Sequence, residues 1–356
     1  MGLPNINIEF KTQAISAIKR SGRAAVAIIL KNSAPEVQGA HTLTNITQIP
    51  SGLDETNKKY VSQAFIGYVS APRKVLLFVL PEMAEDLSDA LSYFAAQNFD
   101  YLAAPHNCSI SEADEIAAWI TAMRENDFTP KAVLPDKAAD SEAIINFTTK
   151  NIKAGEAEYT PAGYCARIAG LIAGTPMTIS STYAPLPEVM DVERLSKEDM
   201  DNKIDSGEFI IFHDGQKVKV GRAVNSLKTT TQDKSEMLKK IKIVEAIDMI
   251  KNDIKMTAQD SYIGKYSNSY DNKCLLITAI SGYFTQLELE GILQAGASSV
   301  GIDMAAQEAY LQSKGMDTSE MTEQEIKEAN TDDKVFLMAN IRILDAIEDI
   351  DLKIAI

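Results

Sequence analysis

The chain has 356 residues, of which 45% are apolar, enough to fill two or three domains. Fifty acidic against 35 basic residues leave a net charge of −15, which repels a phosphate backbone and argues against direct contact with nucleic acid. No apolar run reaches the roughly 18 to 20 residues of a membrane span, the start MGLPNINIEF lacks the layout of a signal peptide, and the scattered Cys108, Cys165 and Cys274 fit buried, reduced thiols in a chain made in the cytoplasm.

At the N-terminus Ile6, Ile8 and Phe10 alternate with Asn7, Glu9 and Lys11, the period of a strand with one apolar face, so a short extended arm is expected before the first core strand. The continuous apolar run Ala24 to Leu30 then predicts a buried strand, and Lys74 to Leu80, closed by Pro81, a central one. Leu87, Leu91 and Phe94 recur at helical spacing. Ser109 and Glu112 form a capping box ahead of Ile116, Trp119, Ile120 and Met123, while Tyr101 to Ala104 and Lys131 to Leu134 read as strands. Strands alternating with helices of this length imply a parallel sheet with crossover helices, an α/β domain over 21–185. Residues 161–176 predict a helix whose Gly163, Ala166, Gly170, Ala173 and Gly174 admit another backbone closely. A Ser/Thr/Pro-rich stretch through Pro187 follows, and the boundary is expected there.

The second domain, 186–344, reads as α+β. Glu208 to His213 and Gln216 to Val220 flank Asp214-Gly215, a strong hairpin signal. Thr231 to Ile254 predicts a long helix with Ile243, Ile247, Ile250 and Ile254 on one face. The helical stretch 233–255 carries Lys234, Lys239, Lys240, Lys242, Lys251 and Lys255, read either as a solvated face or as a contact with an acidic protein surface, with Lys239 and Lys242 the candidates. Cys274 to Leu293 is expected to hold another helix, and the polar stretch 313–333 to be helical or mobile. Val335, Leu337, Ala339, Ile341 and Ile343 alternate as a strand; beyond the charged spacer Asp345 to Asp349, so do Ile350, Leu352, Ile354 and Ile356 as a second, at the C-terminus.

Chemistry is weakly signalled. There is neither a G-x-G-x-x-G nor a G-x-x-x-x-G-K-[ST] loop, and His41, His106 and His213 have no partner at metal-ligand spacing, so no catalytic, cofactor or metal residue is assigned. Pro105-His106-Asn107-Cys108 stands at the C-terminal end of an expected strand, where open α/β sheets place ligands. It reads either as a turn with a buried cysteine or as the polar pocket of an enzyme or ligand-binding domain with mobile tails. Asp114 with Glu115, and Glu348 with Asp349, read as solvated charge.

An apolar strand at a terminus needs a partner, and a chain with such an arm at each end can add a strand to a neighbour, a heterologous contact that propagates into rings or filaments. Burying Ile350, Leu352, Ile354 and Ile356 contributes roughly 6 to 12 kcal/mol. Ordering eight residues costs about 8 to 16, so the C-terminal arm is expected to order only on a neighbour.

The run Gly2 to Phe10 with Ala17 to Ser21, Ala162-Gly163 with the helix end Ala169 to Pro176, the 207–220 hairpin with Arg222 to Leu227, and the ending Ile341 to Ile354 together resemble the contractile tail sheath proteins. The likeness is to the compact form found in tail-like bacteriocins and defective prophage particles, and it covers most of the chain. It implies a structural subunit without a cofactor, whose C-terminal domain and terminal arms, residues 1–20 and 345–356, build a helical lattice of stacked six-fold rings around an inner tube. It also implies baseplate and terminator partners, contraction that drives the tube through an envelope, and a particle released from the cell. A tube or other tail structural protein is a further alternative, disfavoured by length and by two α/β domains.

Overall fold

The structure, a computed structural model, describes residues 17–20, 22, 24–231 and 234–355. Of the expected arm residues, Ile6, Ile8, Phe10 and Ile356 therefore lie outside the described residues. The chain divides into two compact units, one built from 22–249 with 345–355, the other from 17–20 with 250–344.

The larger unit opens with β1 (Ala25–Asn32), β2 (Gly39–Leu43), α1 (Glu55–Ala64), β3 (Lys74–Pro81), α2 (Ser88–Ala95), β4 (Tyr101–Ala103), α3 (Ile110–Glu125), β5 (Lys131–Pro135) and β6 (Ile144–Phe147). There follow β7 (Ile152–Ala154), β8 (Ala157–Tyr159), α4 (Cys165–Ala173), β9 (Val189–Asp191), α5 (Lys197–Asp205), β10 (Glu208–Phe209), β11 (Ile211–His213) and β12 (Val218–Val220). Among the described residues, seven strands form one sheet in the order β10-β6-β5-β4-β1-β3-β2, parallel except for β2. This is the parallel α/β architecture expected from the alternation of strands and helices.

Strand β1 lies inside the sheet, between β4 and β3. Its Val26, Ile28 and Leu30 face α1 and α4, whereas Ala25, Ala27 and Ile29 face α2 and α3, which is why the run is apolar throughout and does not alternate. Helix α3 begins with both bonds of the capping box: Glu112 N donates to Ser109 Oγ and Ser109 N to Glu112 Oε2. The small residues of α4 do admit close backbones. A Cβ on Gly170 would lie 2.1 Å from the Ala64 carbonyl oxygen, and one on Gly174 2.1 Å from that of Ser70. Gly163 has no such neighbour; the nearest atom to its Cβ position is 3.5 Å away.

The chain does not divide at 185, the boundary expected from the Ser/Thr/Pro-rich stretch, because 22–249 stay in one unit. Strand β10 joins the large sheet beside β6, and Phe209, Ile211, Val218 and Val220 enter the same core as β1. The expected hairpin forms between β11 and β12, with Ile211 opposite Val220, but its loop takes four residues: Asp214 N donates to the Lys217 carbonyl at 3.0 Å. The Asp214 carboxylate accepts from the amides of Gln216 and Lys217, and Gly215 supplies φ +101°.

Helix α6 (Ile241–Ser261) begins ten residues later than expected from Thr231. Lys240 is extended (φ −90°, ψ 124°) and bridges to Val224, so Glu236–Lys239 forms a separate 3₁₀ turn. Ile243 and Ile250 are buried, but Ile247 is 37% exposed.

The smaller unit contains the rest of α6, then α7 (Tyr270–Leu289), β13 (Ser299–Ile302), α8 (Met304–Ser313), α9 (Glu323–Glu328) and β14 (Leu337–Asn340). Helix α7 covers much of the expected 274–293 span, α9 falls within the polar stretch and β14 within the expected strand 335–343; β13 and α8 had no expectation. Strands β13 and β14 make a two-stranded antiparallel sheet, and beyond it Gln294 N donates to Arg342 O and Leu344 N to Ile292 O.

Candidate assembly interface

After Leu344 the chain contributes to the larger unit through a charged root. Glu348, read from sequence as solvated, has a side chain only 6% exposed. Its Oε1 accepts from Thr182 Oγ1 at 2.6 Å and from Ser180 Oγ at 3.3 Å, and its Oε2 lies 3.4 Å from Lys240 Nζ and 3.6 Å from Arg222 Nε. Arg222 also pairs with Asp349 at 2.5 Å, and Lys240 pairs with Asp345. Burial disfavours both cations, but the surrounding carboxylates outweigh it and raise both pKa values. No local pattern signals this cluster: Ser180, Thr182, Arg222 and Lys240 are all more than a hundred positions from Glu348.

Past Asp349 these paired charges end, and the apolar side chains stand in solvent, as Ile347 already does at 87%. Ile350, Leu352 and Ile354 are 81, 74 and 76% exposed, and residues 350–355 enter no ladder among the described residues. Three apolar side chains at alternate positions, left in water, are what an unpartnered strand arm would present.

At the other terminus, Lys19 N donates to Thr257 Oγ1 at 3.3 Å and Arg20 pairs with Glu290 at 2.9 Å, within the smaller unit. The same unit carries β13 and β14, each with one unpaired edge among the described residues, and Met338, Ala339 and Asn340 are exposed. A two-stranded sheet of this kind is marginal alone and open to further strands.

Lys239 and Lys242 do not share an exposed helix face. Lys239 sits on the 3₁₀ turn and pairs with Glu236 at 2.8 Å, while Lys242 is 8% exposed on α6, where burial pushes its pKa down.

His106 and Cys108 line an open cleft of about 910 Å³ with Asn107, Asp136, Lys137 and Tyr159, at the C-terminal edges of β4 and β5. Burial, then Glu112, pushes the Cys108 thiol up to about 12, which leaves it protonated and a poor nucleophile at neutral pH. Burial likewise lowers His106, whose ring stands edge-on to Tyr60 at 5.9 Å. The crevice at the topological switch point, between β1 and β4, is filled by the protein's own groups. Asn57 donates to the Lys31 carbonyl, Tyr60 OH to the Ala104 carbonyl, and Lys31 pairs with Glu112 at 2.8 Å. Cys165 is buried as expected; Cys108 and Cys274 are only partly so.

Residues 83–226 match the phage tail sheath protein central domain, and residues 233–356 the phage tail sheath C-terminal domain. The tail sheath protein of Clostridium phage phiCD119 is 40% identical over 359 residues, spanning 99% of each chain. Among solved structures, the sheath tail protein of Desulfitobacterium hafniense matches with a TM-score of 0.70 at 16% identity, over 84% of this chain and 94% of its own. The contracted helical sheath of the anti-feeding prophage matches with 0.73 at 17%, over 100% and 99%. At these identities the two structures speak for the fold.

Proposed function

This chain belongs to the phage tail sheath protein family, and from that premise we propose that it polymerises as a helical sheath around an inner tube and contracts to drive the tube through a target envelope. The observation that carries the proposal is the C-terminal segment: a root bound into its own unit, followed by Ile350, Leu352 and Ile354 in solvent. In this reading the arm of one subunit adds to the open β13–β14 sheet of the next, together with the N-terminal arm that includes Ile6, Ile8 and Phe10. Such a contact is heterologous, and rings that stack with six-fold symmetry satisfy it.

The work is mechanical. Energy is held in subunit interfaces and released as the lattice rearranges, on a signal from a baseplate, with a terminator protein closing the other end. The particle is a phage tail or a tail-like bacteriocin, assembled in the producing cell and then released. Lys239 is the candidate tube contact; Lys242, only 8% exposed, acts through packing. Negative-stain microscopy of the purified protein tests the reading: long hollow polymers are expected, and a discrete small oligomer at every concentration would contradict it.

A further inference from the structure

We propose that the cluster around Glu348 is the fixed pivot of the C-terminal arm: the chain up to Asp349 stays on its own subunit in the free and assembled states, and exchange begins at Ile350. The proposal rests on the arm-exchange reading above and specifies which residues change partner.

Three separated parts of the larger unit converge on one carboxylate. Ser180 and Thr182 come from the segment after α4, Arg222 follows β12, and Lys240 precedes α6. The Thr182 hydroxyl is itself oriented, because its oxygen accepts from Ala223 N at 3.0 Å, leaving its proton for Glu348. Asp345 and Asp349 flank the carboxylate and share its two cations, so both sides of the root are held. Drawing Glu348 out would part its buried carboxylate from two partly exposed cations and take the acceptor from the Ser180 and Thr182 hydroxyls, so several bonds would be lost together. One residue past Asp349, Ile350 is 81% exposed, and the alternation of 350, 352 and 354 begins. A pivot at this point sets which face of the arm carries the apolar side chains, and a slip of one residue would turn them to the other face.

Zero-length carbodiimide cross-linking of the full-length chain, with ¹⁵N-labelled and unlabelled subunits mixed, tests the pivot. Lys240 should link to Asp345 or Glu348 within a single chain, at equal yield in free subunits and in polymer. Mixed-label links, or a loss of yield on polymerisation, would overturn it. As a second measurement, cleavage after Glu348 by a glutamate-specific protease should be slow in the native subunit. It should rise at least about tenfold in the R222A/K240A variant, as loss of the paired charges implies; equal rates would also overturn the pivot. If a chain ending at Asp349 still polymerises, the exchange reading fails instead, while the cross-link yields judge the pivot independently.

Discussion

Lys131 Nζ lies 3.0 Å from Asp248 Oδ2, with the two side chains 3% and 6% exposed. Arg124 makes a two-pronged contact to the same carboxylate, and Lys131 also pairs with Glu245, which accepts from Tyr101 OH at 2.6 Å. The cluster ties the beginning of β5 and the end of α3 to the first turns of α6, so the helix is positioned by charge as well as by its apolar residues.

Removing the charge at Asp248 should therefore destabilise the larger unit by about 3 to 5 kcal/mol, since it leaves buried cations short of an anion. Burial works to raise the Asp248 pKa, but Lys131 and Arg124 prevail and it stands below the ordinary 3.8. A depressed carboxylate contributes fully above its unfolded value and loses that contribution as pH falls through the folded one. Chemical denaturation should show the wild-type advantage over Asp248→Asn intact at pH 5 and shrinking only below 3.8.

Gly170→Ala should lower stability by about 1 to 3 kcal/mol, because its Cβ would meet a backbone oxygen that cannot rotate aside. Gly282→Ala is the control: it lies in α7 with nothing within 4 Å, and alanine should stabilise the helix by up to about 1 kcal/mol. Urea unfolding of both variants measures the pair.

Elements whose cause is local were legible in the sequence: the apolar run of β1, the Ser109–Glu112 box and the Asp214-Gly215 turn. Those fixed by distant contacts were not. The lysine-rich periodicity before Ile241 reads as helix, but the bridge from Lys240 to Val224 holds that residue extended. Strand β13 is the weak sequence Ser-Val-Gly-Ile, and α8 buries only Gln307 and Leu311, so neither shows a clear period. Glu348 looked solvated because its partners lie in unrelated parts of the chain.

The His106→Ala/Cys108→Ala double variant should polymerise like the parent protein. With its thiol pKa near 12, Cys108 should also react with iodoacetamide at pH 8 more slowly than a free thiol, which peptide mapping can follow. Loss of polymer in the double variant would give the cleft an assembly role.

Charge reversal separates the two lysines. Lys239→Glu should leave thermal unfolding unchanged and weaken co-assembly with tube protein, more at low salt. Lys242→Glu places a carboxylate in a buried site and should destabilise the fold itself, lowering the unfolding midpoint before any tube is added.

The most direct measurement is on a chain truncated after Asp349, which keeps the Arg222 pair and removes only residues 350–356. Since Ile350, Leu352 and Ile354 are 81, 74 and 76% exposed, their loss removes little buried surface, and the thermal transition of the subunit should stay unchanged. Sedimentation velocity should then show monomer at concentrations where the full chain forms fast-sedimenting polymer. Polymer from the truncated chain, or a subunit that unfolds at markedly lower temperature, would contradict the account of the arm as a strand given to a neighbour.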